Sequence, residues 1–250
     1  MSLAVDLNAD LGEGAGHDEQ LLTLVTSANI ACGVHAGNAT MMRETLLAAK
    51  ERRVAVGAHP GFDDRANFGR REMSLKWDEL FALVVYQLGA FQALAHSLDL
   101  PVQHVKPHGA LYNMAARDER IADAVVQAVK RVSPGLMIFA PPASALSRAA
   151  EASELPVARE VFADRNYMPD GSLVPRDQPE ALLHDPEEAA NRVFGMLRDG
   201  KVRAIDGSEV QVQADTICVH GDTPHAVEFA RELRTALHQV GVMVGPPGNV

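Results

Sequence analysis

Cysteine is scarce: Cys32 and Cys218 are the only two among 250 residues. Each lies in an apolar run that reads as a strand, so both are expected as buried free thiols, and a disulfide-stapled scaffold is excluded. Lysine and arginine number 23 against 33 aspartates and glutamates, a formal net charge of -10, and nowhere form a run that could neutralise a nucleic-acid backbone. Nucleic acid is therefore not an expected partner. Met1–Asp6 offers neither a basic n-region nor an apolar h-region, and no apolar run approaches the roughly 18 residues of a membrane-spanning helix. A cytoplasmic protein without membrane association is the expectation.

Several catalytic signatures are also missing. Without G-x-x-x-x-G-K-[ST] there is no P-loop, without G-x-S-x-G there is no nucleophile elbow, and without H-E-x-x-H there is no zinc-binding helix pair. The segment Asp10-Leu11-Gly12-Glu13-Gly14-Ala15-Gly16 comes near a dinucleotide fingerprint, but its glycines alternate and the third spacing is wrong for a helix-opening pyrophosphate loop. Alternate glycines suit a left-handed turn or a close approach of two backbones.

What is present is a regular alternation of strand and helix. Short runs rich in valine, isoleucine, leucine and alanine read as buried parallel strands at Leu3–Asn8, Ser27–Cys32, Val54–Ala58, Val102–Lys106, Leu136–Ala140, Val157–Phe162 and Thr216–His220. Helix starts are marked by their caps. Asn38 precedes a helix over Thr40–Arg52, Ser74 one over Leu75–Ser97, and Asp185 combines an N-cap with Pro186 at N1 and Glu188 at N3. A last helix is expected from Pro224, capped by Asp222 or Thr223, to about Val240, where Gly241 stops it. Such alternation over residues 1–250, without a linker or repeat, predicts one α/β domain: a parallel β/α barrel of seven strands, distorted in its closure.

Polar residues gather where these strands end, which is where catalytic loops converge in parallel α/β folds. Period-two spacing sends Asp6, Asn8 and Asp10 to one strand face, into the barrel mouth, with Glu13 following. His35 and Asn38 follow the second strand. After the third, His59 opens a charged, glycine-punctuated loop that contains Arg65 and reads as a substrate-facing lid. Lys106 ends the fourth strand, a costly place for an unused ammonium, and is followed by His108 and Tyr112. Glu160, Asp164 and Arg165 mark the sixth strand end, and His220, Asp222 and His225 the last. His35, His59, His108 and His220 occupy corresponding strand-end positions, whereas His17, His96, His184 and His238 fall away from that edge.

This chemistry points to water as the nucleophile. Two arrangements remain open: a carboxylate base with lysine or histidine stabilising an oxyanion, or a divalent metal held by aspartate and histidine. The metal ligands would then be Asp10, His35 and His59.

The blocks VDLNADLGEG (5–14), SANIACGVHAGN (27–38), VGAHPGFDDRANFGRR (56–71), VKPHGALYN (105–113), EVFADRNYMPDGSLVPR (160–176) and ICVHGDTPHAV (217–227) together resemble the LamB/YcsF family, in order and over essentially the whole chain. That family is associated with the A-type subunit of the prokaryotic 5-oxoprolinase. The resemblance implies a glycoside hydrolase/deacetylase-like β/α barrel, working with two further subunits, B and C, to convert 5-oxo-L-proline to L-glutamate with coupled ATP hydrolysis. It places Asp10 or Glu13 as general base, Lys106 and His220 at the oxyanion or the substrate carboxylate, and His59, His108 and Arg165 in the pocket. Asn8, His35, Asn38, Arg65, Tyr112 and Asp222 would line the same substrate site. With no ATP motif on this chain, the ATP site would be shared with or carried by the partners. Competing expectations are a metal-dependent deacetylase or carbohydrate hydrolase, and a non-catalytic subunit that binds a small molecule.

Overall fold

The computed structural model describes residues 3–175, 178–183, 185–219 and 226–248. The expected strands form as β1 (Ala4–Leu11), β2 (Ser27–Ala31), β3 (Ala55–His59), β4 (Val102–Val105), β5 (Met137–Ala140) and β6 (Val157–Phe162). An antiparallel hairpin of β7 (Lys201–Arg203) and β8 (Glu209–Gln211), absent from the strands expected from sequence, precedes β9 (Thr216–Val219). β1 is hydrogen-bonded to both β2 and β9, so the order β1-β2-β3-β4-β5-β6-β9 returns on itself and closes a parallel seven-stranded barrel. A short β10 (Met243–Val244) pairs with the first residues of β1.

The helices are α1 (Asp18–Leu21), α2 (Ala39–Arg52), α3 (Trp77–Ser97), α4 (Gly109–Arg117), α5 (Glu119–Val132), α6 (Ala145–Ala152), α7 (Pro186–Asp199) and α8 (Ala226–Gln239). Two caps form as expected. The Asn38 side chain accepts from Met41 N at 3.0 Å, and Asp185 accepts from the backbone of Glu187 and Glu188 at 2.9 and 3.2 Å. The third differs: α3 starts at Trp77, and Lys76 N donates to Glu79 Oε2 at 2.8 Å, so an acid reaching back replaces the hydroxyl expected of Ser74. The expected caps of α8, Asp222 and Thr223, lie outside the described residues.

α3 contains no unbroken apolar run near the length of a membrane span, as expected, but it qualifies on average composition. Its 21 residues are long and apolar enough, by length and composition, to cross a membrane, because Gln87 and Gly89 interrupt the apolar side chains without adding charge. In this fold it packs along α5 and buries Leu80, Val84, Leu88, Phe91 and Ala95.

Alternation along β1 divides the molecule. Val5, Leu7, Ala9 and Leu11 are buried in the apolar layer between barrel and helices, while Asp6, Asn8 and Asp10 turn inward. The inner surface is consequently polar. Asp6, Asn8, Ser27, Asn29, His59, His104, Glu160 and Thr216 are all at most 1% exposed. Burying polar groups is costly unless they are hydrogen-bonded, and these side chains are joined into a connected network.

Candidate active site

The network rises through the barrel from Asp6. This carboxylate accepts from Thr26 at 2.6 Å and Ser27 at 2.8 Å through one oxygen, and from Thr216 at 2.5 Å through the other. Above it, Asn8 Nδ2 donates to Thr216 Oγ1 at 2.7 Å and Glu160 Oε1 at 3.0 Å. Asn29 Nδ2 donates to Asn8 Oδ1 at 2.6 Å and Asp10 Oδ1 at 2.9 Å, while His104 Nε2 meets Asn29 Oδ1 at 2.8 Å. Burial, reinforced by the charge of Lys106, pushes His104 down to about 3, so its ring is neutral and donates here. The ring stacks on Phe139 at 4.0 Å and 5°, directly over Gly57.

Lys106 ends this ascent. Its Nζ lies 2.9 Å from Glu160 Oε1, 3.0 Å from Asp10 Oδ1, 3.3 Å from Asn8 Oδ1 and 3.0 Å from Cys218 Sγ. Burial opposes its charge, but Asp10, Cys218 and Glu160 outweigh burial and hold it protonated well above the ordinary lysine range. Tyr112 packs beside Phe162 and Cys218, and burial together with Glu160 raises its hydroxyl pKa well above the ordinary range.

A second centre adjoins the first. The side chains of Glu13, His35, His59 and His108 meet, each within reach of a common point, with ligand atoms lying within 4.8 Å of one another. Glu13 Oε1 is 3.1 Å from His35 Nε2, 3.2 Å from His108 Nδ1 and 3.7 Å from His59 Nε2. Burial raises the Glu13 carboxyl, but hydrogen bonds to His108 and His35 win and bring it down to about 2. Burial drives His35 down to about 4, whereas on His59 the charge of Asp10 overcomes burial and raises it. Asp10 links the centres, its Oδ1 on Lys106 and its Oδ2 3.5 Å from His59 Nε2; at 15% side-chain exposure it is more open than Lys106, Glu13 or His59.

Local backbone geometry makes this convergence possible. Gly12 and Gly37 are both left-handed, at φ 71° and 66°, and a Cβ on Gly37 would fall 2.2 Å from Gly12 O. The loops after β1 and β2 therefore touch backbone to backbone, which brings Glu13 to His35.

The expected site residues divide accordingly. Asn8, Asp10, Glu13, His35, His59, Lys106, His108 and Tyr112 come together at the C-terminal barrel mouth. Asn38 spends its side-chain oxygen on the cap of α2. Arg65 donates to Gly37 O at 2.9 Å and to Gly33 O, tying the third loop to the second. Arg165 is buried and donates to Val174 O at 2.5 Å and Ala181 O at 3.3 Å, bracing the segment that follows β6. His220 and Asp222 lie outside the described residues. Glu160 was marked at the sixth strand end without a role, and Asn29, His104 and Cys218 were absent from the expected set; inward alternation along β2, β4 and β9 was the signal that could have found them.

A LamB/YcsF family model matches residues 5–250. A solved structure, the lactam utilization protein from Thermus thermophilus, is 48% identical, with 97% of this chain and 99% of that chain covered at a TM-score of 0.91. The chain belongs to the LamB/YcsF family. A deacetylase designated T48, solved with substrate, is 14% identical with a TM-score of 0.51 over 98% of this chain and 88% of that chain, a likeness in fold alone.

Proposed function

We propose that this LamB/YcsF chain is the lactam-opening, A-type subunit of an ATP-dependent 5-oxoprolinase, converting 5-oxo-L-proline to L-glutamate in a complex with two partner subunits, B and C. One observation carries the reading. A solvent-reachable carboxylate, Asp10, is held between a permanently charged Lys106 at 3.0 Å and His59 at 3.5 Å, at the mouth of the barrel. The 48% identical Thermus protein, named for lactam utilization, supports the substrate class.

A five-membered lactam resists water because its amide is resonance-stabilised and its ring is little strained. Transfer of the ATP γ-phosphoryl group to the amide oxygen would make the carbonyl carbon electrophilic. Water then adds to that carbon while Asp10 takes its proton. The C–N bond breaks, the nitrogen leaves as the amine with a proton returned to it, and an acyl phosphate remains. A second water releases phosphate and leaves the glutamate side-chain carboxylate. Lys106, 3.0 Å from Asp10, sets a fixed positive charge close to the oxygen and nitrogen that gain negative charge as the tetrahedral adduct forms and collapses. Glu13 is the weaker candidate for base, because three imidazoles already surround its Oε1.

The ATP site belongs to the partners or is shared with them, since this chain has no P-loop. A reducing cytoplasm suits the two buried free thiols. The test is ATP-dependent glutamate release from 5-oxoproline by the purified subunits, with and without this chain. Loss of release when the chain is omitted, and again with Asp10→Asn, is expected. Equal release by the partners alone would overturn the proposal.

A further inference from the structure

Two of the three imidazoles at the barrel mouth have one nitrogen fixed as a donor by the backbone. His59 Nδ1 lies 2.7 Å from the carbonyl oxygen of Lys106, and His108 Nε2 lies 2.7 Å from that of Phe68. A carbonyl oxygen only accepts, so each of these nitrogens carries the ring proton. Phe68 adopts a left-handed φ of 56° within the loop that brings its carbonyl to the ring, a conformation rare for an aromatic residue. The remaining nitrogens, His59 Nε2 and His108 Nδ1, converge on the same place and lie 3.0 Å apart; when both rings are neutral, each turns a lone pair to it.

A proton between them would join these two nitrogens alone, whereas a cation can take both lone pairs together with those of further ligands. Glu13 Oε1, also an electron-pair donor, closes on the same place, and His35 adds a third buried ring with its Nε2 3.1 Å from Glu13 Oε1. Four of the six separations among the donor atoms, 3.0, 3.1, 3.2 and 3.7 Å, bracket the ~3.3 Å edge of a tetrahedron with metal–ligand bonds of about 2.0–2.1 Å, and all the donor atoms lie within 4.8 Å of one another. Backbone carbonyls holding the far nitrogens of two rings are the usual supports of histidine ligands. Packing reserves the space as well. His35 stacks on His108 at 3.9 Å and 6°, and a Cβ on Gly69 would stand 2.8 Å from His35 Cβ and 3.0 Å from His108 Cδ2.

We propose that Glu13, His35, His59 and His108 form a binding site for one divalent transition-metal ion of the zinc or cobalt class. The set differs from the one expected from sequence: Glu13 and His108 enter it, and Asp10 leaves it because its Oδ1 is committed to Lys106 and Asn29. Soft thiolate ligands are absent from the set, and its three nitrogens and one oxygen favour zinc or cobalt over calcium or magnesium. The site abuts Asp10, so it deepens the lactam-hydrolase reading by adding a fixed positive charge on the far side of that carboxylate from Lys106.

Metal binding is tested on the isolated chain, with neither ATP nor 5-oxoproline present, so it can fail while the lactam reading stands, and the reverse. Chelator-treated protein is titrated with cobalt(II) alone. The wild type is expected to develop visible d–d absorption saturating at one ion per chain, abolished by added zinc. His59→Ala and His108→Ala should lose that absorption, and Glu13→Gln should weaken cobalt binding more than tenfold, while Asp10→Asn retains the band. Circular dichroism identifies any variant that fails to fold; for such a position, His35→Gln is the replacement and should also weaken binding more than tenfold. A wild type that retains no stoichiometric cobalt or zinc, or folded ligand variants that bind as the wild type does, would overturn the site.

Discussion

Lys106 Nζ and Glu160 Oε1 stand 2.9 Å apart inside the barrel, with their side chains 3% and 0% exposed. A buried pair of this kind gains little over an apolar pair, yet removing one partner leaves the other charged and dry, at a cost of roughly 3–5 kcal/mol. Lys106→Met strands both Glu160 and Asp10. It is expected to lower the urea midpoint sharply and to reduce ATP-dependent glutamate release on the order of a hundredfold, through the loss of a fixed charge at the reaction centre. Glu160→Gln keeps an oxygen for Asn8 Nδ2 and should cost less, about 1–3 kcal/mol. Equal urea midpoints for the wild type and Lys106→Met would refute this account of the pair.

Gly57 is required by the histidine that crosses it. A Cβ there would lie 2.2–2.5 Å from Cδ2, Nε2 and Cγ of His104, whose ring is pinned by Asn29 and Phe139 and cannot swing aside. Gly57→Ala should destabilise by about 1–3 kcal/mol or more, as overpacking does. The clash is specific, so Gly57→Ala in a His104→Ala background should cost much less than in the wild type, a coupling measurable as a double-mutant cycle in urea. Additive effects would remove His104 as the reason for the glycine.

Both relationships show where sequence pattern suffices and where it stops. Strands announce themselves as short β-branched and aliphatic runs, and period-two alternation alone turned Asp6, Asn8 and Asp10 inward. Which inward residues become neighbours depends on barrel closure and stagger. His104 meets Asn29 across 75 positions, and Asn8 meets Glu160 across 152. Nothing local encodes such pairs, so Glu160 was marked at a strand end without its partners, and His104 was not marked at all. The β7–β8 hairpin was equally hidden, because strands of three residues with exposed polar side chains carry too little pattern. Arg65 was placed at the substrate site by its lid-like loop and Arg165 by the family resemblance; the carbonyl oxygens to which they donate, of Gly37 and Val174, are partners that a sequence cannot place.

Asn38 provides a test that separates a cap from a substrate ligand. Its oxygen accepts from Met41 N at 3.0 Å, and loss of such a cap costs about 1 kcal/mol. Asn38→Ala should therefore lower stability by that amount, whereas Asn38→Ser, which preserves the cap, should restore it. With Asn38→Ser the KM for 5-oxoproline should be unchanged. A raised KM at wild-type stability would instead place the amide on the substrate.

At the opposite end of the network, Asp6 makes stability depend on pH. Burial raises its pKa from 3.8 to about 6, against hydrogen bonds from Thr216, Thr26 and Ser27 that lower it. Because the folded value is the higher one, the folded state binds this proton more tightly than the unfolded chain. Above about pH 6 the carboxylate is ionised in both states, and folding bears the cost of burying its charge. As pH falls from 6 towards 4 the folded form takes up a proton first, and stability rises by up to roughly 3 kcal/mol from this group. Asp6→Asn cannot titrate. The difference in urea-unfolding free energy, wild type minus Asp6→Asn, should thus increase as pH is lowered from 8 to 4, with most of the change below pH 6, while contributions common to both proteins cancel. A difference that is flat over this range, or that shrinks on acidification, would mean that Asp6 is not the buried, proton-binding carboxylate on which the lower barrel network is built.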